Sequence, residues 1–283
     1  MLRIGKAGQT LGGHGGRPVY NARMTAFPLS ADLIGASCRY AAIDVEVVAE
    51  TGSTNADLMA RLPQLQAPLL LIAETQTAGR GRAGRAWHTA GGTALTFSLA
   101  WKFNRPLTAL AGLPLAVGVA LAETLASLGV DARLKWPNDV QKDGAKLAGI
   151  LIETGAASAD GAWAVIGVGL NIVLPAGLAA QIGRDVADLP ALRQDRNRIM
   201  AALLDDLARV LEQFDRNGFT PFRARWNSLH AHAGQAVVIL DRDRIVQEGR
   251  AAGVDDSGRL LLDTAAGQVA VMAGDVSLRT RQD

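Results

Sequence analysis

Residues 135–153 read Lys135-Trp136-Pro137-Asn138-Asp139-Val140-Gln141-Lys142-Asp143-Gly144-Ala145-Lys146-Leu147-Ala148-Gly149-Ile150-Leu151-Ile152-Glu153. A strand running into Trp136 must stop at Pro137 or lie at a sheet edge, because proline donates no ladder hydrogen bond. Asn138 and Asp139 then emerge at a strand end. Lys142-Asp143-Gly144 makes a turn, and the apolar run after Lys146 returns as a strand. This block therefore predicts a sheet with polar residues gathered at one end.

Working outward from it, strands are expected at 132–136, 147–154 and 163–172. On the N-terminal side, Leu110, Pro114, Val117, Leu121, Leu125 and Leu128 repeat at helical spacing, and Gly129 closes that helix. Strands at 45–48, 69–73 and 93–101 precede it. A helix capped around Ser53-Thr54-Asn55 runs to about 62. On the C-terminal side, Ile199, Leu203, Leu207, Leu211 and Phe214 share one face of a helix over 195–214, with Asp195 as its expected cap. A last helix is expected at 221–231. From Gly234 the texture changes to short strands at 236–240, 245–254, 260–263 and 269–272, with a hairpin-type turn at Asp256-Ser257-Gly258. The fold class is α+β: a mixed sheet with flanking helices, then a small all-β module too small for much core unless it leans on the rest. The expected units are a flexible N-terminal extension (1–43), a larger mixed-sheet domain (44–232) and the small module (233–283). Within the extension, Gly12, Gly13, Gly15 and Gly16 flank His14 without a clear period. Met24 is a second candidate start.

Apolar residues make up 49% of the 283-residue chain and charged residues 20%. Those proportions support a buried core. A net charge of +2 argues against wholesale nucleic-acid binding. The single cysteine, Cys38, excludes a disulfide framework and argues against a thiolate metal site. No apolar run reaches bilayer-spanning length, and glycines and polar residues interrupt the N-terminus where a secretory signal would lie. A cytoplasmic protein with no membrane partner is expected.

Gly79-Arg80-Gly81-Arg82-Ala83-Gly84-Arg85 matches the bare dinucleotide pattern G-x-G-x-x-G, but a strand follows it where a helix should, and no acid stands about twenty residues on. The phosphate loop of ATPases needs Gly-Lys-Ser/Thr, and the kinase glycine loop needs its whole signature set; both are absent. Glycines that let the backbone approach an anion, and arginines that fork onto oxygens, suit a nucleotide or acyl phosphate. Trp87 and His88 add flat surfaces; a solvated basic turn is the bland alternative. Lys135, Lys146 and Asp139 converge from a strand pair and suit phosphates with a metal ion. Gly167-Val168-Gly169-Leu170-Asn171 removes side chains where a ligand or backbone comes close and ends on a donor–acceptor amide.

In this order, Ser53-Thr54-Asn55, Gln76, the 79–85 loop with Trp87, and the 135–139, 146–153 and 167–171 blocks resemble the signature of the biotin–protein ligases over residues 45–279. The resemblance implies a core related to class II aminoacyl-tRNA synthetases followed by an SH3-like barrel. It implies that ATP, with Mg²⁺, activates biotin as biotinyl-5′-AMP, which is passed to a lysine of the biotin carboxyl carrier protein of acetyl-CoA carboxylase. By position, Ser53, Thr54, Asn55, Gln76, Arg80, Gly81, Arg82, Lys146, Gly167 and Gly169 would bind biotin. Arg80, Arg82, Arg85, Trp87, Lys135, Asn138 and Asn171 would bind ATP and the adenylate, with Trp87 beside the adenine. Lys146, Asp139 and Arg82 would be catalytic, Asp139 holding Mg²⁺ or orienting the acceptor amine. Family members may be monomers or homodimers. Some carry an N-terminal winged helix-turn-helix that represses transcription; residues 1–43 show no helical period or basic recognition helix, so no specific DNA binding is expected. Two rivals remain: a lipoyl or octanoyl ligase or transferase of related fold, and a biotin-sensing regulator without chemistry.

Overall fold

The computed structural model describes residues 28–40, 42–88, 91–158, 161–183, 185–241, 244–274 and 276–281. Seven strands form one mixed sheet: β1 (Asp44–Thr51), β2 (Leu69–Gln76), β3 (Ala94–Phe103), β4 (Arg133–Lys135), β5 (Asp139–Lys142), β6 (Ala145–Ser158) and β7 (Gly161–Asn171), in the order β1-β2-β3-β7-β6-β5-β4. Among the described strands of this sheet, only the β1–β2 pair is parallel. Pro137 lies just past β4, and β4 is an edge strand, as proline requires.

Strand β5 is an addition to the sequence expectation. Asp143 and Gly144 both have positive φ, 53° and 78°, which gives the tight turn that folds β5 straight back onto β6. Four residues with Val140 as their sole large apolar side chain leave no period to detect.

One face of the sheet carries α3 (Leu113–Ser127) and α5 (Arg196–Asn217); the other carries α2 (Thr54–Arg61). Helix α3 is buried nearly all round and ends as expected at Gly129: Gly129 N–H reaches Ala126 O and Val130 N–H reaches Leu125 O. The stretch Leu107–Ser127 is long and apolar enough to cross a membrane, contrary to the sequence expectation, but 72% of its most apolar window is buried inside the fold. It is the core helix. Helices α4 (Leu178–Ile182) and α6 (Arg223–Ser228) are short. Asp195 precedes α5 but makes no capping bond, because a 3₁₀ turn over Pro190–Asp195 leads into the helix instead.

The expected flexible extension is corrected for residues 28–40; residues 1–27, with Met24 and the glycine cluster, lie outside the described residues. Helix α1 (Ala31–Ser37) is capped by Ser30 and buries Ile34 completely. Pro28 O and Ser30 N–H both bind the Asn197 amide, and Asp205 accepts from Cys38 and from Arg39 N–H. Leu29 N–H joins Glu74, which also holds Arg196 at 2.7 Å in a buried pair. These partners are distant in sequence, so a seven-residue helix with one buried side chain is ordered by contacts that its own pattern cannot announce.

The last five strands, β8 (Ala236–Asp241), β9 (Arg244–Val254), β10 (Leu260–Thr264), β11 (Gly267–Val271) and β12 (Val276–Thr280), form an antiparallel sheet in the order β11-β10-β9-β8-β12. The module leans on the seven-stranded unit as its size demands. Val237, Ile239, Leu260, Leu262 and Leu278 share one hydrophobic cluster with α3 and α5. Trp136, 1% exposed, donates its Nε1–H to Gly258 O across the junction.

His230 and His232 sit beside that junction. The His230 ring packs 4.7 Å from Trp226, and neither of its nitrogens has a partner among the described residues. Burial pushes both imidazoles down from 6.5 to about 4, with Lys135 adding to the effect at His232. The unfolded chain therefore binds protons that the folded chain refuses between pH 6.5 and about 4. Stability is intact above pH 6.5 and falls as pH drops through that window, by up to about 3 kcal/mol per imidazole. Thermal melting at pH 7 and pH 5 is expected to show a smaller loss for His230→Phe than for the native chain; equal losses would exclude His230 as a source.

Candidate active site

The polar end of the sheet opens into two adjoining cavities. The inner one encloses about 470 Å³, counted to its mouth, and the outer one about 1330 Å³. The floor of the inner cavity is a cleared patch of sheet. Gly149 and Gly169 face each other across β6 and β7, and Gly167 stands opposite Ser98 and Leu151. A Cβ on Gly169 would lie 2.2 Å from the Trp87 ring, and one on Gly167 would lie 2.1 Å from Asn55 Oδ1. Gly167 and Gly169 are therefore required by the Asn55 and Trp87 side chains over them, where the sequence reading expects a ligand or backbone.

The N-terminus of α2 forms one wall. Ser53 caps the helix, and Thr54 and Asn55 are buried at the cavity edge. Gln76 Oε1 accepts from Thr54 N–H at 2.8 Å. The cover is the glycine–arginine loop, which folds on itself as a narrow strap. Gly81 N–H reaches Arg85 O, Trp87 N–H reaches Gly79 O, and Arg80 bridges Ala86. Ala83 and Gly84 take left-handed backbone, φ 54° and 69°, at its tip. Gly79 admits no side chain, since a Cβ there would stand 2.6 Å from Trp87 O.

Arg82 Nη1 donates to Asn138 Oδ1 at 2.9 Å, and its other terminal nitrogen reaches Gly274 O of the small module. Asn138 is itself pinned, its Nδ2 donating to Ile150 O at 2.8 Å. Lys146 Nζ donates to Asp139 Oδ1 at 2.5 Å and lies 5.7 Å from the centre of the Trp87 ring. The Lys146 backbone is clamped by Asp185 O and Ala187 N–H.

The structure brings together Ser53, Thr54, Asn55, Gln76, Arg80, Gly81, Arg82, Trp87, Asn138, Lys146, Gly167 and Gly169 around the inner cavity. Arg85, Lys135 and Asp139 line the outer one with Arg82, Trp87, Asn138 and Lys146. Two placements differ from the sequence reading. Trp87 lies on the inner glycine patch as well as at the outer cavity, with its buried Nε1–H unpartnered among the described residues. Asn171 lines neither cavity; its amide donates to Ala187 O at 3.1 Å and Lys146 O at 3.4 Å, so it holds the backbone that carries Lys146. Sequence reasoning missed Ser98, Glu153 and Arg279. Ser98 follows Thr96 by two in a strand whose other residues, Lys102 apart, are apolar, a detectable signal. Arg279 lines the outer cavity only because β12 pairs with β8.

Residues 46–171 match the Biotin/lipoate A/B protein ligase family, and residues 232–279 match the Biotin protein ligase C terminal domain. A biotin–[acetyl-CoA-carboxylase] ligase of Mycobacterium tuberculosis is 38% identical over 256 residues, 88% of this chain and 93% of that protein. One of Paracoccus denitrificans is 34% identical, covering 81% of this chain and 98% of its own length. The biotin protein ligase of Aquifex aeolicus in complex with biotin and ATP has a TM-score of 0.70 at 27% identity, covering 84% of this chain and 99% of that one. Catalytic sheet and C-terminal module thus define a ligase of the biotin/lipoate class. The chain belongs to the biotin protein ligase family.

Proposed function

We propose that the protein condenses biotin with ATP and passes the biotinyl group to a lysine of the biotin carboxyl carrier protein of acetyl-CoA carboxylase. One observation carries this: Lys146, fixed by Asp139, stands where the two cavities meet. Biotin's neutral ring would lie against Ser53, Thr54, Asn55 and Gln76 in the inner cavity, with its carboxylate toward Lys146, and the outer cavity is cationic enough for a triphosphate. A carboxylate oxygen attacks the α-phosphorus, the bond to the β-phosphate oxygen breaks, and diphosphate leaves. The two acids repel, so Lys146 and Arg80 neutralise charge that builds up between them. An acceptor amine then attacks the acyl carbon and AMP departs; Asp139 orients that amine or takes its proton.

Mg²⁺ suits the outer cavity. Asp139 and Asp185 line it, and one or two carboxylates plus substrate phosphates are the usual ligand set. The ion would offset phosphate charge. No cluster of three His, Cys, Asp or Glu exists among the described residues, so a metal ion fits here as a companion of the nucleotide.

The test is the intact mass of a carrier domain incubated with the protein, ATP, Mg²⁺ and biotin; one added biotinyl group is expected. Diphosphate exchange into ATP that depended on lipoate or octanoate instead would favour the lipoyl reading, and no exchange a binding-only regulator. Arg82→Gly breaks the bonds to Asn138 and Gly274, so adenylation should persist while the adenylate escapes and labels nearby lysines indiscriminately. Labelling confined to the carrier lysine would refute that role. The proposal includes a cytoplasmic location and no operator binding; a tight, specific gel-shift complex with DNA upstream of biotin-synthesis genes at moderate salt would overturn the latter.

A further inference from the structure

Five side chains from four elements lie in one line of polar contacts beneath the inner cavity. Gln76 Oε1 lies 3.1 Å from Thr54 Oγ1, Thr54 Oγ1 lies 2.7 Å from Ser98 Oγ, Ser98 Oγ lies 2.6 Å from Asn55 Oδ1, and Asn55 Nδ2 lies 2.8 Å from Glu153 Oε2. The direction of every link follows from its last member. A carboxylate only accepts. Asn55 must therefore turn its amide nitrogen to Glu153, where it also reaches Leu151 O at the longer distance of 3.4 Å, and its oxygen to Ser98. Ser98 has one hydroxyl hydrogen, which goes to Asn55, so in its contact with Thr54 it accepts. Thr54 has one hydroxyl hydrogen, which goes to Ser98. No hydrogen remains for the contact between Thr54 Oγ1 and Gln76 Oε1, which already accepts from Thr54 N–H. Two acceptor oxygens thus stand side by side on the cavity wall.

We infer that Glu153 is a positioning residue which sets this direction, so that Thr54 Oγ1 meets the ligand as an acceptor and the pocket selects a ring that offers N–H donors. The inference rests on the biotin reading, since a ureido ring carries such donors, and it adds to that reading a residue outside direct ligand contact. The other carboxylate oxygen of Glu153 lies 4.0 Å from Arg80 Nη2. The same group therefore faces both the wall and the cover of the pocket. Neutral glutamine at 153 can donate as well as accept. Asn55 then keeps only its longer bond to Leu151 O and can flip, and the chain can run the other way, with Thr54 giving its hydrogen to Gln76 Oε1 and the wall losing acceptor capacity toward the ligand.

Calorimetric binding of biotin and, separately, of ATP to the full chain tests this. Glu153→Gln is expected to weaken biotin by about 10-fold or more, the size of one lost hydrogen bond to a charged or buried group, with ATP affinity within about 3-fold of native. Ser98→Ala cuts the relay while leaving Glu153 and Arg80 in place, and should weaken biotin similarly. Adding Asn55→Asp to Glu153→Gln moves the carboxylate one link along, again leaves only an acceptor facing Ser98, and should recover at least about 3-fold in affinity. Native-like biotin binding by Glu153→Gln or by Ser98→Ala would overturn the inference, as would failure of the double variant to recover. If Glu153→Gln does not fold, Ser98→Ala decides alone. A native chain that binds no biotin would sink the functional reading itself, a result distinct from native binding with an indifferent Glu153.

Discussion

Lys146→Ala is expected to slow biotin-dependent exchange of diphosphate into ATP by about 10²–10³-fold, the loss seen when one preorganised donor is taken from a developing anion. The geometry makes the effect larger than loss of one charge. Lys146 and Asp139 have 14% and 21% of their side chains exposed, so both are largely withdrawn from water. Removing the lysine leaves the Asp139 carboxylate facing the same cavity as the incoming phosphates. A repulsion then replaces an attraction, and Asp139→Ala in the Lys146→Ala background should recover part of the binding loss. Stability should fall as well, because a largely buried carboxylate loses its partner, and Asp139→Ala in the same background should restore part of the melting midpoint. Exchange measured over a range of biotin and ATP concentrations, with melting in parallel, separates these effects. Exchange within about 3-fold of native would show that Lys146 does not touch the reacting acids.

Lys146 is also where sequence and structure agree for a traceable reason. The Asp143-Gly144 pair forces a tight reversal, so residues on either side of it must face each other: Gln141 pairs with Lys146, and Asp139 with Gly149. Local turn chemistry was enough to bring Asp139 and Lys146 together. The α2 N-terminus was legible in the same way, because Ser53 announces a cap. What local chemistry could not supply was long-range pairing. Strand β12 returns from the end of the chain to lie beside β8, and only that pairing brings Arg279 to the outer cavity. Helix α1 depends on Asn197 and Asp205, which no nearby residue foreshadows. Asn171 sits at the end of β7 beside the site and looked like a ligand; its donors were already committed to the backbone around Lys146. Strand-end placement says that a side chain is near a site, while its hydrogen-bond partners say whether it can serve there.

Gly167→Ala carries the same logic to the pocket floor, and its expected result is a biotin affinity lower by about 10² or more with ATP affinity preserved. The added methyl would lie 2.1 Å from Asn55 Oδ1 and 2.8 Å from Asn55 Cγ. Asn55 cannot yield cheaply. It is buried on α2, and Ser98 and Glu153 hold it from two sides. Displacing it leaves one or two buried polar groups unpaired at about 1–3 kcal/mol each, and every 1.4 kcal/mol is tenfold in binding. Two neighbouring glycines serve as controls, because their obstacles differ in kind. A methyl on Gly149 meets the far end of the Lys146 side chain at 3.0 Å, which swings away at little cost. A methyl on Gly169 meets the Trp87 ring at 2.2 Å, and that ring rides on the cover loop, so it must lift the cover. The expected order of biotin affinity is therefore Gly149→Ala above Gly167→Ala, with Gly169→Ala losing adenylate retention as well as biotin. Calorimetry with biotin and with ATP for all three variants reads that order directly. Biotin bound by Gly167→Ala within about 3-fold of native would mean that Asn55 is not part of the wall against which the ring is held.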